Sequence, residues 1–223
     1  PGYNLESLGK AVNKNTVAVT AVNFLGIPER LSEITYLLKE WPKICLIVDN
    51  AQYFPEKPLS SRLVGDYIIL SFGRGKPISL LGGGALLHRK SISDKSLPID
   101  NAIEPSIGLT IKYWLYNQLL NPFYYQFLSR NPLLKLGETV YKKLKLISRM
   151  DNKRQSLLMA NIQAYMDRNC HAQQELCDFL QNSSCKILSD ITRYDQPQHN
   201  RMLRYPTLAH DKKTRDILLE ELR

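Results

Sequence analysis

A chain of 223 residues, 43% apolar and 23% charged, is long enough for one large or two small domains and has the balance of an ordinary soluble globular protein. Its formal net charge of +9 favours an anionic partner: a phosphorylated cofactor or nucleotide, nucleic acid, or an anionic membrane surface. No run of adjacent Lys and Arg with interleaved aromatics occurs, which argues against nucleic acid. Cys45, Cys170, Cys177 and Cys185 form no CxxC pair and read as reduced thiols of a cytoplasmic protein. Cys170-His171 with Cys177 matches no finger or ribbon spacing, so no metal site is expected.

In chain order, the opening PGYNLESLGKAV is neither a signal peptide nor a transit sequence. Leu5, Leu8 and Val12 have helical spacing. Thr16–Phe24 is a β-prone run ending at Gly26. Helical periodicity follows from Pro28 to about Glu40, with Leu31, Ile34, Leu37 and Leu38 as its stripe. The next strand is Ile44–Val48, and strand, helix, strand at this spacing predicts a parallel βαβ pair. Tyr67–Leu70 and Ala85–His88 read as two further strands, separated by glycine clusters at Gly73–Gly75 and Gly82–Gly84. A parallel sheet normally needs helices on both faces, so the opening reads as the middle of a domain whose earlier strands are absent.

Beyond about Asn101 the pattern turns helical. Tyr113–Ser129 is the longest stretch free of charge, 17 residues with Pro122 inside it, which is poor for a membrane span. Its dense aromatics predict two short amphipathic helices packed on a core or a sister subunit, with an interfacial membrane contact as the alternative. Leu133–Ile147 reads as a short helix and Arg154–Leu180 as a long periodic one. Lys186–Leu188 and Met202–Leu208 read as strands of a small unit, and Lys212–Leu222 opens a last helix. The expected fold class is α/β. Residues 1–100 are expected to form part of a larger domain with a mainly parallel sheet. Residues 101–182 form a helical connection, and 183–223 the start of a small α+β C-terminal domain.

Chemistry concentrates between Ile44 and Arg89. Asp49 and Gln52 follow one strand, Ser71 and Lys76 another, and the C-terminal edge of an open α/β sheet is where ligands sit. GRGK is not a phosphate-binding Walker loop, because Leu70 holds the first glycine's position and Pro77 follows the lysine. Nor is it GxGxxG, because Ile78 stands at the last glycine. A lysine that forms a Schiff base needs a tight, partly desolvated turn. Pyridoxal phosphate needs a carboxylate against its ring nitrogen and hydroxyl and backbone donors around its phosphate. Asp49, Lys76 and Ser71 supply these functions in one segment.

The combination VDNAQ (Val48–Gln52), GDYIILSF (Gly65–Phe72), the SFxxxK spacing of Ser71–Lys76 and Gly82–Ala85 resembles the DegT/DnrJ/EryC1/StrS family of fold-type I pyridoxal-phosphate aminotransferases. VTAVNFLGIPERLSEI upstream, and Asp151–Leu180 with RYPTLAHDKKTRDILLEEL downstream, extend the resemblance over most of the chain, which looks like a fragment lacking the N-terminal part. The resemblance implies transfer of an amino group from an amino acid to a keto sugar, probably nucleotide-linked, in a cytoplasmic homodimer of a polysaccharide pathway. It implies Lys76 as the catalytic Schiff-base lysine, Asp49 on the pyridine nitrogen, Gln52 near the ring hydroxyl and Ser71 on the phosphate. Relatives with His at the lysine position dehydrate instead. Gly73 and Gly75 depart from the family, which often has His or Ser and Thr or Asn there. Arg74, Arg201 and Arg204 are candidates for an anionic substrate group, or simply solvated arginines. The alternative reading is a catalytically inactive homologue with a regulatory or membrane-associated scaffolding role.

Overall fold

The computed structural model describes residues 2–55, 64–89, 107–121, 123–124, 143, 147–169, 171, 175–176, 178, 186–187, 202–204 and 207–221. The chain divides into two compact units, 1–96 with 157–208 and 97–156 with 209–223.

The first unit is built on a four-stranded sheet of order β1-β2-β3-β4: β1 (Ala18–Val22), β2 (Cys45–Asn50), β3 (Tyr67–Ser71) and β4 (Gly84–His88). These are the four runs expected from sequence. The pairs β1–β2 and β2–β3 are parallel. The last pair is antiparallel, from Tyr67 opposite His88 to Ser71 opposite Gly84. A parallel return needs a crossover of a dozen or more residues, usually a helix. The Gly-rich link from Phe72 to Gly83 holds no helix, so β4 comes back as a hairpin arm.

Helix α1 (Leu5–Ala11) starts where the Asn4 side chain accepts the Ser7 N–H at 2.9 Å, a standard N-cap. Helix α2 (Leu31–Leu37) begins three residues later than the Pro28 signal predicts and tightens into a 3₁₀ turn at Leu38–Glu40. The delay has a local cause. The Glu29 N–H is taken by the Asn23 side chain at 2.6 Å and the Leu31 N–H by the Glu29 carbonyl at 2.8 Å. The Glu29 carboxylate, in turn, accepts the Tyr3 N–H at 3.0 Å and the Arg30 N–H at 2.9 Å.

Alternation sorts the sheet into two faces. Val19, Ala21, Leu46, Val48 and Ile68 point into one core with Ile34 and Leu38. On the other face Val22, Ile69 and Leu86 are 41, 41 and 43% exposed. Cys45 lies on this second face as a free, half-buried thiol. Burial, and then the negative charge of Asp66, push its pKa up, so it is an inert protonated thiol. The other three cysteines lie outside the described residues. At the strand ends two buried amides meet: Asn23, after β1, donates to the side-chain oxygen of Asn50, at the end of β2.

The expected small strands shorten to β5 (Lys186–Ile187) and β6 (Thr207–Leu208), an antiparallel pair. Met202 is buried in the first unit, and the Leu203 N–H bonds the Leu25 carbonyl at 2.9 Å. The second unit holds α3 (Ile107–Leu119), the first turn of α4 (Asn152–Asp167) and α5 (Lys212–Glu221). The long helix expected over Arg154–Leu180 is interrupted: α4 ends at Asp167, Arg168 and Asn169 are not helical, and His171, Glu175, Leu176 and Asp178 are helical again. The Leu133–Ile147 helix falls outside the described residues apart from Lys143 and Ile147, neither of which is helical. Asp151 caps α4, accepting the Arg154 N–H at 2.9 Å and pairing with the Arg154 guanidinium. Burial raises the pKa of this carboxyl, but the Arg154 N–H, the hydrogen bond to its side chain and its charge together outweigh that and leave the carboxyl below its ordinary value.

Asp151→Asn keeps a capping oxygen but loses the charge, and should lower stability at neutral pH by about 1 kcal/mol. A depressed carboxyl contributes stability that is complete above its unfolded value, about pH 4, and is lost as pH falls through the lower folded value. Denaturant melts of the two proteins should therefore converge below about pH 4. Asn50→Ala leaves the Asn23 amide donor buried without its acceptor. That should cost about 1–3 kcal/mol, again read as a shift of the denaturant midpoint.

Candidate active site

The parallel strands β2 and β3 finish side by side, and the residues singled out in the sequence stand at that end. Asp49 pairs in register with Val22 on one side and Ile69 on the other. It is half-buried and belongs to the face opposite the core. Ser71, two residues beyond Ile69, shares that face. Strand spacing and rise put their Cα atoms about 8 Å apart.

Both strand ends are fixed by polar bonds. The Asp49 carbonyl accepts the Asn23 N–H at 3.0 Å, and its carboxylate Oδ1 accepts the Ala51 N–H at 2.8 Å. The Asn50 carbonyl accepts the Tyr53 N–H at 3.2 Å. Gln52 uses its Oε1 to accept the Leu25 N–H at 3.2 Å, which holds a turn where Leu25 itself has φ of 59°. The chain after β1 is thus laced to the chain after β2, and Asp49 sits in the seam. Phe54 follows with 3% exposure, its ring set edge-on to Tyr165 at 5.4 Å.

The loop that carries Lys76 is closed at its base through one residue. The Phe72 N–H donates to the Gly83 carbonyl at 2.9 Å, and the Phe72 carbonyl accepts from Leu80 at 2.8 Å and Gly82 at 3.1 Å. Phe72, Ile78 and Leu80 are 2, 3 and 1% exposed, so both legs of the loop are plugged into apolar surroundings. The tip turns at Gly75, with φ of 66°, a left-handed conformation that glycine adopts without steric cost. That accounts for one of the two departures from the family pattern. The other, Gly73, lies between the key side chains. A Cβ built there would sit 3.7 Å from Ser71 Oγ and 3.8 Å from Lys76 Cγ. Ser71 and the stem of Lys76 therefore gather beside the same glycine, with Lys76 half-buried.

One side chain in this loop was not singled out from sequence. Ser79 Oγ is enclosed and has no hydrogen-bond partner among the described residues, an arrangement that calls for a ligand or another explanation. Its only sequence signal is a hydroxyl three residues after the lysine. The Asn23–Asn50 pair was also missed, because isolated asparagines read as loop residues. Arg74 and Arg204 are exposed, and Arg201 lies outside the described residues. A cavity of about 350 Å³ lined by Asn23, Glu29, Val48, Asn50 and Ile68 opens on the core side of β2, away from Asp49. No group of three or more potential metal ligands occurs among the described residues. Asp49 and Ser71 share one face at the strand ends, and the stem of Lys76 lies beside Ser71 across Gly73, in a loop whose backbone is tightly turned.

No protein-family model matches the sequence, and no curated protein matches it. Solved structures do. A Streptococcus pneumoniae protein designated a sugar aminotransferase, in its PMP form, superposes with a TM-score of 0.57 at 14% identity, over 98% of this chain and 56% of its own. An Escherichia coli GDP-4-keto-6-deoxy-D-mannose-3-dehydratase with bound hydrated PLP gives 0.56 at 14% identity, over 98% and 54%. A DegT DnrJ EryC1 StrS aminotransferase from Brucella abortus gives 0.52 at 15%, over 98% and 50%. The chain spans about half the length of these structures. It has the α/β fold of the sugar aminotransferases and their dehydratase relative, the fold that its central motifs resemble.

Proposed function

We propose that this chain carries the lysine-bearing part of a pyridoxal-phosphate-dependent aminotransferase, in which an amino acid is the donor and a keto sugar, probably nucleotide-linked, the acceptor. The observation that carries the reading is the gathering of Lys76 and Ser71 beside Gly73, on the sheet face and at the strand end where Asp49 stands. In this reading residues 1–100 belong to the cofactor-binding domain, 101–182 connect it, and 183–223 begin a small C-terminal domain. The protein works in the cytoplasm as a homodimer.

The residues present fit the cofactor. A carboxylate, an amine, two hydroxyls and a tightly turned backbone are the donor set it requires, and the unpartnered Ser79 Oγ is a polar atom that a phosphate oxygen would satisfy. Asp49 would hold the ring nitrogen, Gln52 would lie by the ring hydroxyl, and Ser71 would bind the phosphate. When bound, pyridoxal phosphate supplies the electron sink for chemistry at the substrate carbon.

What remains falls to the chain itself. With the cofactor bound, Asp49 would stand against the ring nitrogen and favour its protonated form. Its orientation is held by the Ala51 N–H at 2.8 Å, so the charge need not reorganise as the reaction proceeds. Lys76 would supply the amine that holds the cofactor, and the same amine would carry the proton at the substrate carbon as general base and acid. A half-buried amine in a loop anchored on Phe72 can swing at its tip without disturbing its base. The sheet-end residues thereby serve both half-reactions. A lysine at this position, not the histidine of the dehydrating relatives, is why transamination is preferred to the dehydration carried out by the E. coli neighbour.

Borohydride reduction of the protein in the presence of pyridoxal phosphate, followed by peptide mass mapping, should leave a pyridoxyl adduct on Lys76; an adduct elsewhere, or none, would remove the assignment. Lys76→Ala should abolish transamination with the melting curve unchanged, because the side chain belongs to a loop tip outside the core. Asp49→Asn should slow turnover by about 10²-fold or more, comparable to losing one preorganised electrostatic group. An unaltered rate would show that Asp49 does not face the ring nitrogen.

A further inference from the structure

Helix α3 leaves one stripe of large apolar side chains in water. Ile111, Trp114 and Leu115 are 58, 63 and 49% exposed, and their i, i+3, i+4 spacing puts them on one side of the helix. A different side is already in use: Leu109 is buried and Tyr113 and Tyr116 are half-buried. Past the helix the exposed series continues with Leu120 and Phe123, 63 and 61% exposed. An apolar series this dense marks an interaction surface.

The charge of the surrounding sequence selects the occupant of the stripe. Between Pro105 and Arg149 the sequence holds seven lysines and arginines and a single acid, Glu138. Of these cations Lys112, Lys143 and Arg149 are described and exposed. Aromatic side chains in an acid-poor, basic setting are the composition of a segment that lies in a lipid headgroup region, and each basic residue near an anionic leaflet adds to the attraction. Length decides between lying and spanning. Helix α3 has 13 residues, about 20 Å, and no helix among the described residues is long and apolar enough to cross a membrane.

We infer that this segment docks the protein onto an anionic phospholipid surface, with α3 in the interface plane and the indole of Trp114 at headgroup depth. The attachment is peripheral and salt-sensitive, since its electrostatic part is screened within a Debye length. It is independent of the chemistry at Lys76.

The test is co-sedimentation of the full chain with vesicles of phosphatidylcholine alone or mixed with phosphatidylglycerol. Emission from Trp114 is read as the difference between the chain and its Trp114→Phe variant. Pelleting with the anionic vesicles, a blue shift of the Trp114 emission, and release at molar salt are expected. The exposed-site double variant Trp114→Glu with Leu115→Glu should bind at least about tenfold more weakly, from the apolar area it withdraws. Three results would overturn the inference. One is no pelleting with anionic vesicles, and a second is equal pelleting of the double variant. The third is self-association in sedimentation-velocity runs that the double variant abolishes, without vesicle binding, which would assign the stripe to a second copy of the chain.

Discussion

The register of β2 is the constraint from which the rest of the first unit follows. This strand is paired on both sides, to β1 and to β3, so its alternation decides what the whole sheet sends to each face. In the observed register Leu46 and Val48 meet Ile34 and Leu38 in the core, and Asp49 goes to the opposite face. A slip by one residue would exchange the two sets and drive the carboxylate into an apolar interior, at a cost that no partner there could offset. The buried Asn23–Asn50 amide pair makes that slip more costly still, because it satisfies both side chains only when β1 and β2 end level with each other. A buried hydrogen-bonded polar pair specifies an arrangement more sharply than apolar packing does.

The lysine loop obeys a second, local logic. Its position depends on one backbone residue, Phe72, bonded through both its N–H and its C=O, and on three buried side chains that leave the tip free of packing duties. A tip so relieved can take the left-handed turn at Gly75 and present an amine without building it into the core. The division is common at functional sites, where the scaffold is rigid and the reacting group sits on a loop. Here the rigid part is the strand-end lacing by Asn23, Gln52 and Ala51, and the adaptable part is the half-buried stem of Lys76.

Much of this was legible in the residues. Short apolar runs closed by polar or glycine residues identified all four strands, and their C-terminal ends drew attention to the segment that holds Asp49, Ser71 and Lys76. What was missed has physical causes. The direction of β4 is carried by the helix-free, glycine-rich link after Ser71, not by the strand itself, whose composition would suit either direction. The start of α2 depends on Asn23, six residues upstream, which captures the Glu29 N–H, so the Pro28 signal taken by itself places the helix too early. Apolar periodicity runs on through Arg168 and Asn169, where the helix breaks before helical residues resume at His171, because spacing alone cannot register a local break in the backbone bonds. The same applies to the aromatic segment. Its density is plain in sequence, but which of its side chains turn outward is set by the packing of Leu109, Tyr113 and Tyr116.

The antiparallel return of β4 also bears on the order in which the unit assembles. Closing a chain segment costs entropy that grows with its length, and pairings distant in sequence are the slow ones. The β3–β4 hairpin closes over the residues from Phe72 to Gly83, whereas β1 must wait for β2 across the whole of α2, and β2 for β3 across the segment after Asn50. The hairpin, with Lys76 at its tip, is therefore the part of the sheet that can form from local contacts alone. Asp49 reaches its place only when the longer parallel pairings close.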